Sequence, residues 1–153
     1  MRWLAGGLAA VVVATVAAAL LAVAPSGDDA GRLELDGKPF QPELALTGAA
    51  RSRGLMFRKR APRDGMLFVY SLPTTAGFWM RNTRVPLAIV FFDRRGGRVQ
   101  RLAMQPCLRD PCRIYRARRS YSFALELPVD DARPARRLGP PKELARLVGE
   151  ADY

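Results

Sequence analysis

The chain contains no histidine. That excludes histidine-based catalytic triads, histidine-ligated metals and the side chain most used for acid–base chemistry near neutral pH. Cysteine is scarce, with Cys107 and Cys112 the only two. Two thiols alone do not make a zinc site, and their spacing is not the C-x-x-C of a thioredoxin-like redox motif. Lysine is also scarce: Lys38, Lys59 and Lys142 are three of the 25 basic residues, and the other 22 are arginine. Acids are outnumbered, 14 against 25, leaving a formal net charge of +11. Neither a G-x-S-x-G nucleophile elbow nor a phosphate-binding loop occurs. No cofactor and no metal site is expected. Met56, Met66, Met80 and Met104 are soft ligands in principle, but their strand-like settings make them core filling.

What is present begins with an apolar run. Leu4 to Ala24 carries no charge, and Thr15 is its only hydroxyl. As a helix of that length it spans ~30 Å, the thickness of a bilayer's hydrocarbon core. Ala22-Val23-Ala24 fits a small-x-small cleavage pattern, but Pro25 follows at once and hinders cutting. An uncleaved membrane anchor over residues 1–24 is favoured over a removed signal peptide. Either one, with Arg2 retained inside, places the remainder outside the cytoplasm. Residues 25–31 (PSGDDAG, from Pro25) are a polar linker, and residues 32–153 are of a size for one domain.

That domain is organised around Gly77 to Asp93, GFWMRNTRVPLAIVFFD. Leu87 to Phe92 is an unbroken apolar run of strand length that reads as a strand buried on both faces. Pro86 suits a strand start. Beside it, Phe78-Trp79-Met80-Arg81-Asn82-Thr83 holds the densest polar and aromatic chemistry in the chain. It reads equally well as core aromatics followed by an Asn-Thr turn. Asp36-Gly37 predicts a hairpin between two early strands. Thr47 predicts the cap of a short helix that runs through Arg53 and ends at Gly54. Met66 to Tyr70 predicts a strand ended by Pro73, and Arg94-Arg95-Gly96-Gly97 a second hairpin leading into Arg98 to Met104. Ser120 to Leu127 alternates, with Phe123, Leu125 and Leu127 on one face and Ala124 and Glu126 on the other. Pro141 to Val148 predicts a terminal helix. Many short strands and few helices imply a mainly β fold, a sandwich or barrel.

RSRGLMFRKR at 51–60, GMLFVY at 65–70, FWMRNTRVPL at 78–87, Pro106-Cys107, Cys112, Tyr115 and ALELP at 124–128 follow one another in order. In this the chain resembles the bacterial and archaeal family known as domain of unknown function 192, from about Leu33 to Leu138. The resemblance implies a compact, mainly β sandwich of jelly-roll-like shape, often behind an export signal or membrane anchor. It implies no established activity. The family's usual aspartate after Pro-Leu is Ala88 here, and the ending PPKELARL replaces a glycine-containing one.

In an exported chain, Cys107 and Cys112 are expected to form a disulfide in a loop stiffened by Pro106 and Pro111. Arg51, Arg53, Trp79, Arg81, Asn82, Thr83 and Glu126 are the candidate ligand-binding residues. Guanidinium groups at Arg53 and Arg81 suit a carboxylate or phosphate, and Trp79 suits stacking. Glu126 is either solvent-facing or a buried acid in need of an arginine. The plainer account of these residues is an arginine–carboxylate lattice that tethers 51–60 to the sheet. Arg94 to Arg119 holds nine arginines and one acid, Asp110. Without a nucleic-acid fold signature, and with export, this run favours anionic lipid head groups or envelope polymers over nucleic acid, and a merely solvated arginine-rich surface is the commonest explanation of all. The expected function is a non-catalytic binding module of the cell envelope, reaching the membrane through its N-terminal helix and taking an anionic ligand. The alternative is a hydrolase of envelope glycans using two carboxylates among Asp64, Asp93 and Glu126.

Overall fold

A computed structural model describes residues 32–152. The expected N-terminal helix and linker lie outside the described residues. Among the described residues, no helix is long and apolar enough to cross a membrane.

Among the described residues the fold is mainly β, with two short helices. Its centre is β6 (Leu87–Phe92), in which every residue is buried. β6 pairs antiparallel with β7 (Arg98–Met104) on one side and β9 (Tyr121–Pro128) on the other. β9 pairs antiparallel with β4 (Met66–Thr74), and β3 (Glu43–Ala45) lies parallel to β4 at the edge. The resulting order is β3-β4-β9-β6-β7. Side chains alternate across the strands, so each inner strand feeds two cores. Val90, Phe92, Phe123, Leu125 and Leu127 face a core shared with β1 (Glu34–Leu35), β10 (Leu138–Gly139) and α2 (Pro141–Glu150). Ile89, Phe91, Phe68 and Ala124 face a second core with Phe78, Met80, Tyr115 and Tyr121. Burying a large apolar side chain contributes about 1.5–3 kcal/mol, which explains why these strands carry no alternating polar face. The alternation within Tyr121–Pro128 is therefore correct in phase, but both of its faces are interior.

The turns follow from local chemistry. β1 and β2 (Lys38–Pro39) form the hairpin at Asp36-Gly37, where both residues have positive φ, 55° and 75°, as a type I′ turn requires. At the β6–β7 turn the Asp93 carboxylate accepts from the N–H groups of Arg95 and Gly97. Gly96 there has φ 79°, and a Cβ would sit 1.9 Å from the Leu138 carbonyl oxygen. One strand differs from expectation: β4 continues through Pro73 to Thr74. Its pairing with β9 is irregular between Val69 and Thr74, so the proline meets no ladder position that needs an N–H.

α1 (Gly48–Arg53) forms as the sequence indicates. The Ala50 N–H donates to the Thr47 hydroxyl, and the helix ends at Gly54, φ 47°. Replacing Thr47 by Ala is expected to cost about 1 kcal/mol, read as a lower urea midpoint at unchanged slope.

Ala88 sits in β6 opposite Leu127 and Ala103 and is buried. By alternation it faces the side of Val90 and Phe92, away from Glu126. A missing carboxylate at this position therefore removes nothing from the Glu126 side of the sheet.

Candidate ligand-binding site

β9 carries Glu126 in register with Met66 of β4 and Ile89 of β6. This places its side chain on the Met66–Ile89 face, inside the second core, where it is 5% exposed. An acid there is costly unless it is paired or neutral. Glu126 is not paired: no ion pair or hydrogen bond reaches its carboxyl among the described residues, and burial alone pushes its pKa up to about 8. Burial thus favours the neutral carboxylic acid, which is able to donate one hydrogen bond and accept others. The expectation of an arginine partner for a buried Glu126 is corrected by this geometry.

The carboxyl opens into a cavity of about 30 Å³ lined by Arg51, Arg53, Gly54, Trp79, Thr83 and Glu126, with Phe68 and Phe78 beneath. α1 and its cap form one wall. Gly54 passes so close that a Cβ would lie 3.2 Å from the Phe68 ring and 3.9 Å from a Glu126 carboxyl oxygen. β5 (Phe78–Trp79), paired with β8 (Ile114–Tyr115), forms the other wall. Its alternation sends Phe78 inward, edge-on to Phe68 at 5.0 Å, and leaves Trp79 43% exposed at the mouth. Phe78 also packs against Phe91, and Phe91 against Tyr121, whose hydroxyl donates to the Ala76 carbonyl at 2.7 Å. This aromatic cluster fixes the floor beneath Trp79.

Five of the seven residues singled out from the sequence therefore line one cavity. They do not play equal parts. The Arg51 guanidinium donates to the carbonyls of Leu46 and Val69 and pairs with Asp152 at 2.8 Å, so it is a structural tie. Arg53 is exposed and makes no ion pair among the described residues, which leaves its five donors open to a ligand. Thr83 is buried, and its hydroxyl donates weakly to the Arg81 carbonyl at 3.4 Å. Arg81 is not in the cavity: it leans over the Trp79 ring at 5.5 Å and pairs with Asp110 at 3.4 Å in solvent. Asn82 acts through its backbone, at φ 55°. Its N–H donates to the Cys107 carbonyl, and its own carbonyl accepts from the Phe57 N–H. The lattice that tethers 51–60 is real in part, but its acids are Asp152 for Arg51 and Glu43 for Arg58.

Ser52, Leu55 and Met56 complete the lining and were not legible as site residues. Their approach depends on positive φ at Gly54 and Phe57, 47° and 64°. A glycine predicts such a turn; a phenylalanine gives no warning of one.

Cys107 and Cys112 form a disulfide with an S–S distance of 2.09 Å. Cys107 bridges to both Arg81 and Thr83, so the bond anchors the segment that carries the site's outer wall. Closing a loop this short stabilises by about 2 kcal/mol. Reduction is expected to lower stability by that amount, measured by urea unfolding with and without a phosphine reductant.

The other two candidate carboxylates lie elsewhere. Asp64 is part of a cluster with Arg133 and Asp131. Burial acts to raise its pKa, but the Gln41 N–H and the Arg133 guanidinium outweigh it and hold the carboxyl below its ordinary range. Asp93 is committed to its turn. Neither lines the Glu126 cavity. Among the described residues, no group of three potential metal ligands gathers.

The DUF192 family, described as an uncharacterized ACR, matches residues 31–136. No curated protein matches the chain. Two solved structures are similar to it. One is a Sinorhizobium meliloti 1021 protein provisionally described as a transcription regulator, 27% identical, with a TM-score of 0.60 over 71% of this chain and 89% of that one. The other is a protein of unknown function from Novosphingobium aromaticivorans DSM 12444, 26% identical, with a TM-score of 0.61 over 71% of this chain and 84% of that one.

Proposed function

The chain belongs to the uncharacterized DUF192 family, and for this member we propose a non-catalytic role: an exported or membrane-anchored binding module of the cell envelope that holds an anionic ligand. One observation carries the reading. An exposed Trp79 and an Arg53 without an ion pair among the described residues line the cavity into which the Glu126 carboxyl opens, its pKa raised by burial. An anion entering there gains the Arg53 charge, the hydrogen bond from Glu126 and the Trp79 face, with no ionised carboxylate opposing it. The envelope location is supported by the apolar run Leu4 to Ala24 and by the disulfide. A sandwich of jelly-roll-like shape belongs to the same proposal, supported by the small sheets β10-β1-β2 and β5-β8 that accompany the five-stranded one.

A glycan hydrolase is disfavoured because Glu126 has no second carboxylate in its cavity, whereas glycoside cleavage uses two. The description of the Sinorhizobium protein as a regulator is not carried over. α1 has six residues, and α2 packs Leu144, Leu147 and Val148 into the core, so the described helices make no helix-turn-helix pair.

Thermal shift of the full chain in neutral detergent against a panel of small anions tests the reading. A binding anion is expected to raise the midpoint of the wild type. Arg53→Ala and Trp79→Ala are each expected to weaken its apparent affinity by about tenfold, as loss of one charged or stacking contact does. Arg51→Ala should instead lower stability without ligand. Anion shifts that survive loss of both Arg53 and Trp79 contradict the site.

A further inference from the structure

We infer that the anion taken by this cavity is a monocarboxylate, which shares the Glu126 proton in an acid–carboxylate pair while Trp79 covers the apolar remainder of the molecule. The inference rests on the anion-binding reading above and narrows it to one ligand chemistry.

Size comes first. The cavity holds about 30 Å³, room for roughly two waters at about 10–15 Å³ each. A carboxylate head is flat and presents two oxygens, so it replaces two waters in number and place. A phosphate or sulfate is tetrahedral and matches a two-water space less closely than a flat head does. The approach is also one-sided. Phe68, Phe78 and Gly54 line the cavity around the Glu126 carboxyl, which favours a flat tip over a bulkier group.

Hydrogen bonding comes second. Glu126 has no partner among the described residues, although it is buried. Its carboxyl faces the cavity without a protein partner, which leaves its hydrogen-bonding capacity for water or for a ligand that displaces water. A neutral carboxylic acid offers one donor beside one acceptor. A carboxylate accepts that donor through one oxygen and leaves its second oxygen for Arg53. No proton is lost to solvent and no new charge is buried without a counter-charge, because the Arg53 guanidinium balances the ligand. The charged and titratable groups around Glu126 are Arg51 and Arg53 from α1, which line its cavity, and Tyr70 from β4; β5 contributes only Phe78 and Trp79. Arg51 is already neutralised by Asp152 and also lies over the Tyr70 ring at 5.1 Å. Among the described residues that line the cavity, Arg53 is thus the one open charge.

Coverage comes third. Trp79 lies beyond the cavity's polar tip and is held from behind by Arg81. It suits a flat or aliphatic body attached to the carboxylate.

Two behaviours follow. The affinity is flat while Glu126 is protonated and falls as pH rises through the region near 8 where the free site ionises, by up to tenfold per pH unit. Above that region, binding draws in close to one proton per ligand.

The test is titration calorimetry on the full chain in neutral detergent, with sodium benzoate, phosphate, sulfate and benzamidinium as probes, at pH 6.5, 8 and 9.5. Each pH is run in two buffers of different ionisation enthalpy, which reports proton uptake. The expected result is benzoate binding with no phosphate or sulfate binding, affinity falling about tenfold or more between pH 8 and 9.5, and proton uptake at pH 9.5. Glu126→Gln keeps a donor without the titration, so it is expected to bind benzoate with an affinity independent of pH. Adding polygalacturonate separates a polymer-borne carboxylate from a free acid; binding of either kind supports the inference. Phosphate or sulfate bound as tightly as benzoate, or benzoate bound without pH dependence by the wild type, overturns the monocarboxylate inference and leaves anion binding standing. No anion bound at all, or benzamidinium bound in their place, overturns both.

Discussion

Glu126→Gln is expected to make the protein more stable than the wild type at pH 9, by roughly 3–5 kcal/mol, while the two proteins differ little at pH 5. Folding raises the Glu126 pKa from its ordinary 4.5 to about 8 because the carboxyl is buried without a partner. Between those values the folded chain holds a proton that the unfolded chain has released. Stability therefore falls as pH rises across that window, at up to about 1.4 kcal/mol per unit. Above pH 8 the folded protein carries an ionised, unpaired carboxylate, and the full loss is in place. Glutamine has nearly the same shape and never ionises, so its stability lacks this slope. Asp64, Asp131 and Glu143 act in the opposite sense. Their arginine partners hold them below their ordinary range against burial, so the stability they supply is lost only as pH falls into the acid region. That branch is common to both proteins. Urea midpoints from pH 3 to pH 10 check the result; parallel curves above pH 5 contradict it.

Gly65→Ala is expected to destabilise by roughly 3–5 kcal/mol. Gly65 has φ 70°, and a Cβ there would lie 1.9 Å from the Glu126 carbonyl oxygen. That contact is with backbone, so no side chain can swing aside, and β4 or β9 must shift. The glycine is what lets the chain enter β4 directly against the strand that carries the acid. Gly149→Ala provides the contrast. It lies within α2, and an added Cβ meets nothing within 4 Å. Removing the helix penalty of glycine there is expected to stabilise by about 0.5–1 kcal/mol. Thermal and urea unfolding of both variants check the pair.

Much of the architecture was legible because it is written in short-range chemistry. Leu87 to Phe92 has no polar residue to place in water, so it had to be an interior strand. Asp36-Gly37, Thr47 and Gly54 each specify a turn or cap through their own backbone preferences. Less legible was anything decided by two distant segments. The phase of Tyr121–Pro128 was clear, but whether its second face met water depended on β5, β8 and α1 arriving to cover it. The same holds for the site. Trp79, Thr83, Arg53 and Glu126 were picked out by residue type, and the fold brings them to one cavity. Arg81 was grouped with them by adjacency, yet it lies past the end of β5, over the Trp79 ring and paired with Asp110, and does not line the cavity. Nothing local distinguishes Arg51, tied to carbonyls and Asp152, from Arg53 two positions on, which is open. Phe57 and Asn82 both have positive φ and are joined by the Phe57 N–H to Asn82 carbonyl bond; asparagine tolerates that conformation, whereas phenylalanine does not foretell it.

The account turns on the charge state of a single side chain. Carbon-13 NMR of the glutamate side-chain carboxyls, with Glu126 assigned by loss of its resonance in Glu126→Gln, measures that state directly as pH is varied. A Glu126 resonance that stays protonated through neutral pH and titrates near pH 8 is the result expected here. Titration between pH 4 and 5 would mean a solvated or paired carboxylate, and the ligand site built on it would be lost.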